Sequence, residues 1–269
     1  MAVELSFGLD VEVININQIF LCGVAFSCID WKQLLAEIEK GIRLGNSGYI
    51  SITNTESLYH AMKIPSHCEY IKKSKFSCCD GVGVVIAGKI LGYNIPRLHG
   101  PDLMLECCKY GVEKKWRHYF YGGREGVPEL LSKKLSEKFP GLITAGTYSP
   151  PFRQLTPAED KAIIEQINEA RPDILWVGLG LLKQEKWIAD HMGKIKVPWM
   201  IGVGAAFDFH SGTVKRAPFL FRKAGLEWLY RVCFEPRMIK RNIFSFMVIL
   251  FAIKERFAGR HRILNIPKS

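Results

Sequence analysis

Asp80 stands between a short apolar run, Phe76–Cys78, and the glycine-rich Gly81-Val-Gly83. A carboxylate at the end of a strand, beside glycines that admit a ligand, is placed to abstract a proton. The same residue could instead cap the helix expected over Gly81–Leu91, since Asp is a favoured N-cap. Three glycine pairs, Gly122-Gly123, Gly178-x-Gly180 and Gly202-x-Gly204, each close an apolar run and open an amphipathic one. Exposed N–H groups and a helix dipole at such turns suit a phosphate. Three of them on one sheet edge point to a nucleotide-diphosphate pocket, though glycine in such a turn is often geometry alone. None completes Gly-x-Gly-x-x-Gly or Gly-x-x-x-x-Gly-Lys-Ser/Thr, which counts against dinucleotide and P-loop sites.

Gln184-Glu185-Lys186-Trp187 follows one of these turns. Polar side chains there can face a sugar's hydroxyls with Trp187 beneath it, or Glu185 can simply favour the positive end of the helix. Asp208-Phe-His210 invites a metal reading, but one Asp and one His at this spacing bind poorly. The stretch that follows, Ser211–Arg216, reads as a loop able to fold over a ligand. No Asp-x-Asp occurs, so the carboxylate pair that commonly holds Mg²⁺ or Mn²⁺ to a nucleotide sugar is missing. A departing diphosphate would then need arginines, N–H groups and a helix dipole. No metal and no cofactor are expected.

These residues need a scaffold, and the hydrophobic pattern supplies one. Strands are expected at Val11–Ile16 and Ile19–Val24, then at Gly48–Ile52, Phe76–Cys78, His118–Tyr121, Leu142–Thr147, Asp173–Val177 and Trp199–Val203. Helices are expected between them. Asp30 with Gln33, and Thr156 with Glu159, have the spacing of capping boxes. Thr55–Met62 reads as a helix stopped before Pro65, Pro101 sits in the first turn of another, and Pro218 opens one that carries Trp228. Alternation of this kind predicts an α/β fold, a mostly parallel Rossmann-like sheet with helices on both faces. Ligands in such folds bind beyond the carboxyl ends of the strands.

Charge divides the chain unevenly. Residues 1–214 hold 24 Lys+Arg against 23 Asp+Glu, while residues 215–269 hold 13 against 3. The net charges, +1 and +10, sum to the +11 of the whole chain. Within the basic end lies an uncharged run, Ile243–Ile253, with Arg237, Lys240 and Arg241 before it and Lys254, Arg256, Arg260 and Arg262 after it. Eleven residues are too few to span a bilayer as a helix, which takes about 20. Apolar side chains between basic clusters instead suit the surface of an anionic membrane; the plain alternative is a last helix on the core with a solvated basic rim. The expected division is an α/β domain over residues 1–230 and a basic, amphipathic, helical C-terminal appendage over 231–269. Basic residues interleaved with Phe, Ile, Leu and Met favour lipid over nucleic acid. Met1–Asp10 carries two acids and no basic residue, unlike a secretory signal. Eight cysteines without a Cys-x-x-Cys read as small buried hydrophobes of a reducing compartment.

Taken together, the segments resemble a known family. Cys79-Asp-Gly-Val-Gly-Val-Val-Ile-Ala-Gly88, Pro96-Arg-Leu-His-Gly-Pro-Asp-Leu103 and Tyr121-Gly-Gly-Arg-Glu-Gly-Val127 come first. Gly178-Leu-Gly-Leu-Leu-Lys-Gln-Glu-Lys-Trp-Ile188, Gly202-Val-Gly-Ala-Ala-Phe-Asp-Phe-His-Ser-Gly212, Gly225-Leu-Glu-Trp-Leu-Tyr-Arg231 and Glu235-Pro-Arg237 follow in order. Over about residues 20–240 the chain is similar to the WecG/TagA/CpsF glycosyltransferases. The resemblance implies an inverting, metal-independent bacterial enzyme. It would move a sugar such as N-acetylmannosamine from UDP to a polyprenyl-diphosphate-linked acceptor in surface polysaccharide synthesis. The place implied is the cytoplasmic face of the membrane, peripherally. By the same resemblance Asp80 is the general base, Arg97 lies near the diphosphate, and Gln184 completes the catalytic set. Asn54, the three glycine pairs and Asp208 are the implied donor-binding residues. Arg231, Arg237 and Arg241 are the candidates for arginines that the appendage brings to the site.

One position departs. The family commonly has Thr-x-Asn-x-Glu after its early strand, whereas Ser51-Ile-Thr-Asn-Thr-Glu56 has Ile52 in place of the Thr. Ser51 or Thr53 could substitute only through a backbone shift, so donor specificity is open. Two readings from other classes remain. An oxidoreductase would need a full glycine fingerprint, and a non-catalytic membrane-associated assembly factor could dispense with Asp80 and Arg97. Oligomeric state is open.

Overall fold

A computed structural model describes residues 17–218, 220–221, 227–234, 238–258 and 263–264. Six strands form one parallel sheet: β3 (Gly48–Thr53), β4 (Phe76–Cys79), β5 (Arg117–Gly122), β6 (Ile143–Tyr148), β7 (Ile174–Gly178) and β8 (Trp199–Gly202). Their spatial order is β4-β3-β8-β7-β5-β6, and every pairing is parallel. Strands covered on both sides need apolar residues at successive positions. Accordingly β3, β4 and β8 are buried along their whole length.

Alternate residues serve two layers. Ile50, Phe120, Trp176 and Ile201 face a core closed by α1 (Trp31–Leu44), α5 (Gly100–Lys114), α6 (Val127–Lys138) and α9 (Ala206–Ser211). Tyr49, Tyr119, Tyr121, Leu175 and Met200 face α7 (Pro157–Ala170) and α8 (Lys183–His191). The two capping boxes form as expected, Asp30 with Gln33 and Thr156 with Glu159. These features fix the register of α1 and α7 at their first turns.

A third core lies beside β4. It gathers the hairpin β1 (Gln18–Leu21) and β2 (Val24–Ser27) with α2 (Thr55–Lys63), α3 (Pro65–Lys72) and α4 (Val82–Ile90). Near the basic end, α10 (Glu227–Phe234) carries Trp228, and α11 (Met238–Phe257) packs against α2 and α4. Val248 and Ala252 of α11 are fully buried there. Phe244 stacks on Tyr59, with ring centroids 4.8 Å apart. The two-residue β9 (Ile263–Leu264) pairs with β1.

One expectation is corrected and another extended. Ile19–Val24 is not one strand: Cys22 and Gly23 take positive φ angles of 53° and 79° and turn the chain, so the pair is β1 with β2. Pro65 not only follows the end of α2 but opens α3 in its first turn, where its missing N–H is harmless. The segment Val11–Ile16 lies outside the described residues.

Candidate active site at the strand ends

All six carboxyl ends lie on one edge of the parallel sheet. The chain leaves β5 toward β6 and leaves β7 in the opposite direction toward β8, although β5 and β7 are neighbours. Such a divergence opens a crevice at the strand ends. Asp80, Asn54, Gln184 and the three glycine pairs all fall on this edge, brought together from positions 54–204 of the chain.

Asp80 follows β4 directly, and its N–H donates to the carbonyl of Thr53 at 2.9 Å. It does not cap α4. The N-cap is Gly81, with φ +95°, and no side chain bonds the first turn. The positive φ favours glycine. Asp80 Oδ1 is buried without a hydrogen-bond partner among the described residues. Arg97 is held next to it because Leu98 N donates to Cys79 O at 2.8 Å, bridging residues 79 and 97. Arg97 Nε likewise lacks a partner among the described residues. Burial and Asp80 push the Cys79 thiol far up while Arg97 opposes them, so both charges act on one spot. Burial also pushes Cys22 and Cys78 up to about 12, which suits inert packing groups.

Beyond Arg97 runs a polar string that spacing alone did not reveal. Arg216 donates from Nη1 to Asp102 Oδ1 at 2.7 Å, and its Nη2 lies 2.8 Å from His99 Nδ1. His99 Nδ1 is also 3.3 Å from Asp102 Oδ2, and its Nε2 is 3.8 Å from Asp80 Oδ1. Burial works against the Asp102 carboxylate, but the Arg216 guanidinium holds it well below the usual carboxylate range. The i,i+3 spacing of His99 and Asp102 was visible in sequence; Arg216, 117 residues from His99, was not.

On the β5–β7–β8 side the glycine-turn N–H groups are engaged within the chain, while Glu185 Oε2 and Trp187 Nε1 are buried without a hydrogen-bond partner among the described residues. Gly123 N donates to Gly178 O at 3.0 Å. Gly204 N donates to Gln184 Oε1 at 3.1 Å, and Gln184 Nε2 donates to Glu185 Oε1 at 3.0 Å. A Cβ on Gly122 would lie 2.6 Å from the Gly178 backbone, and one on Gly178 would lie 2.6 Å from the Phe207 ring. Gly202 packs on the Gln184 side chain, whereas Gly180, φ +84°, faces open space. Glu185 is 1% exposed, and burial lifts its carboxyl to about 6 against the hydrogen bonds of Gln184 and nearby backbone N–H groups.

Asn54 caps α2, its Oδ1 accepting from Ser57 N at 2.9 Å. Asp208 Oδ1 accepts from Thr213 Oγ1 at 3.2 Å and is 3.9 Å from Arg124 Nη2. His210 Nε2 meets the Pro101 carbonyl at 2.7 Å, and burial brings its imidazole down to about 4. Among the described residues no group of three or more His, Cys, Asp or Glu could hold a metal ion.

Ile52 is buried in the core layer under α5, where a Cβ on Gly100 would meet its Cγ2 at 3.3 Å. Ser51 and Thr53 point to the opposite face, hydroxyl to hydroxyl at 3.0 Å, with Ser77 3.4 Å from Thr53. Neither hydroxyl replaces the missing one. Of the basic-end arginines, Arg237 and the side chains of Arg231 and Arg241 lie outside the described residues. A separate cleft of about 410 Å³ between the Cys22-Gly23 turn, α2 and α11 shares no residue with this edge.

The profile of the glycosyl transferase WecG/TagA/CpsF family matches residues 19–262. Curated relatives in Staphylococcus aureus strains NCTC 8325 and MRSA252 are 28% identical over 230 residues, covering 84% of this chain and 89% of theirs. Each is an N-acetylglucosaminyldiphosphoundecaprenol N-acetyl-beta-D-mannosaminyltransferase.

Proposed function

Because the chain belongs to the WecG/TagA/CpsF glycosyltransferase family, we propose that it moves a sugar from a UDP-sugar to a polyprenyl-diphosphate-linked saccharide, inverting the anomeric centre. Asp80 carries this reading. It lies at a strand end, does not cap α4, and keeps a buried oxygen unbonded among the described residues, beside Arg97. Asp80 takes the proton of the acceptor hydroxyl as that oxygen attacks the anomeric carbon. The bond from that carbon to the β-phosphate oxygen breaks, and UDP departs with both bonding electrons. Charge growing on the diphosphate meets Arg97, and Arg231, Arg237 and Arg241 are proposed to add to it. With a guanidinium cluster in that role the transfer needs no metal.

Gln184 shapes the donor side by holding the Gly204 turn, with Gly180 facing open space beside it. The acceptor is of the kind named for the relatives, N-acetylglucosamine on undecaprenyl diphosphate. The donor is an N-acetylmannosamine-like sugar or another hexose, read without the hydroxyl that Ile52 replaces.

Among the described residues no helix is long and apolar enough to cross a membrane. The outer face of α11 supports peripheral binding. Ile243, Phe246, Met247, Leu250 and Phe257 recur at helical spacing and are exposed, Phe246 at 60% and Phe257 at 88%. Lys254 and Arg256 flank them, a pattern suited to an anionic cytoplasmic leaflet. Residues 231–269 are proposed to form a membrane-associating unit, with the inner face of α11 resting on α2 and α4.

The test is a donor screen on purified protein with a short-chain lipid-diphosphate N-acetylglucosamine acceptor and EDTA, following UDP by mass. Acceptor-dependent UDP release from one donor is expected. UDP binding without turnover for any donor would indicate the assembly-factor reading instead.

A further inference from the structure

His99 connects two parts of the chain that the proposed chemistry leaves unrelated, Asp80 and the 212–217 loop. His99 Nδ1 lies 2.8 Å from the Arg216 guanidinium, which has donors only, and 3.3 Å from Asp102 Oδ2; the shorter contact favours a lone pair on that nitrogen. The neutral ring then carries its proton on Nε2, the nitrogen that faces Asp80 Oδ1 at 3.8 Å. That oxygen is buried and has no hydrogen-bond partner among the described residues. Asp102, in the first turn of α5, pairs with the same guanidinium at 2.7 Å, fixing Arg216 and through it the plane of the imidazole. Among the described residues, charged groups facing His99 include Asp80 after β4, Asp102 in the first turn of α5, and Arg216 from the 212–217 loop.

We propose that His99 is a positioning residue, donating its Nε2–H to Asp80 Oδ1 so that the other carboxylate oxygen is aimed at the acceptor hydroxyl. This rests on the reading of Asp80 as the base. The 3.8 Å separation is longer than a hydrogen bond, and contacts of this kind commonly tighten when substrate fills a site. Nδ1 is occupied by Arg216, so the ring cannot accept a proton from Asp80 and pass it on. It orients and does not relay. The Arg216–Asp102 pair extends this control to the loop that follows α9, the helix carrying Asp208.

Two measurements test the proposal. In the first, kcat and donor KM are compared for His99→Ala and His99→Gln, each with Asp80 intact and with Asp80→Asn. With Asp80 intact, His99→Ala should lower kcat about 10- to 100-fold, the cost of a misaimed group, and leave donor KM unchanged. Gln presents an N–H near the place of Nε2 and should restore most of the rate. With Asp80→Asn, His99→Ala should cost nothing further. An equal loss in both backgrounds would mean a merely structural role and overturn the proposal, as would wild-type kcat in His99→Ala. The second needs no turnover: ¹⁵N-histidine spectra of the full chain should show His99 as the Nε2–H tautomer, shifted by Asp80→Asn. An Nδ1–H tautomer, or a signal indifferent to Asp80→Asn, would refute it. A wild-type protein silent on every donor refutes the transferase reading, and the spectra still decide the contact.

Discussion

Across the strand-end crevice, the β5–β7–β8 side and the β3–β4 side use their polar groups differently. On the first, Gly123 and Gly204 give their N–H groups to Gly178 and Gln184, and Gly122 and Gly178 lie too close to other atoms for a Cβ. On the second, Asp80 Oδ1 and Arg97 Nε stay unbonded among the described residues. Buried polar groups are ordinarily bonded, so in the proposed reading this unbonded pair of opposite charge at a strand end is where the substrate is held. Glycine at the other strand ends mainly permits close packing that shapes the crevice.

That contrast can be broken experimentally. Arg97→Ala, which removes a charge proposed to meet the leaving diphosphate, should lower turnover about 10²–10³-fold with little change in melting temperature. If melting collapses and turnover per folded molecule persists, Arg97 belongs with the packing groups. Gly178→Ala should do the reverse. Its Cβ would press on the Phe207 ring, costing about 1–3 kcal/mol of stability by urea titration. An unchanged midpoint would show that the glycine is not there for packing.

The same contrast recurs on α11, whose inner face is packed and whose outer face is bare. Phe246→Glu should weaken binding to anionic vesicles by about 2 kcal/mol, roughly 30-fold, without altering melting. Equal sedimentation of variant and wild type would remove the membrane assignment from this face.

A smaller effect concerns Glu185. Its folded pKa of about 6 exceeds the ordinary 4.5, so the fold binds this proton more tightly than the unfolded chain. The associated stability is full below about pH 4.5 and is lost as pH rises through 6. The total is about 2 kcal/mol. Glu185→Gln should flatten that part of the pH–stability curve and leave the protein more stable at pH 7. An unaltered curve would mean that Glu185 is better solvated than its burial indicates.

Much of the scaffold was legible because it rests on local chemistry. Both capping boxes and the six parallel strands follow from residue type and spacing. The Cys22-Gly23 turn was hidden because it interrupts an apolar run without a polar residue. Pro65 was read only as a stop because a proline can equally end one helix or begin the next. For Asp80 the strand end was readable, but its freedom from capping depends on the φ of Gly81. The glycine pairs showed where the crevice lies, while the hydrogen bonds of Gly123 and Gly204 depend on tertiary partners. His99 and Arg216 meet only through the fold.

The most direct test compares wild type with Asp80→Asn for acceptor-dependent UDP release in EDTA, with UDP affinity measured by calorimetry on both. The account predicts unchanged UDP affinity and a rate lower by about 10²–10⁴-fold, the usual worth of a general base. Near-wild-type turnover by a folded Asp80→Asn protein would contradict it.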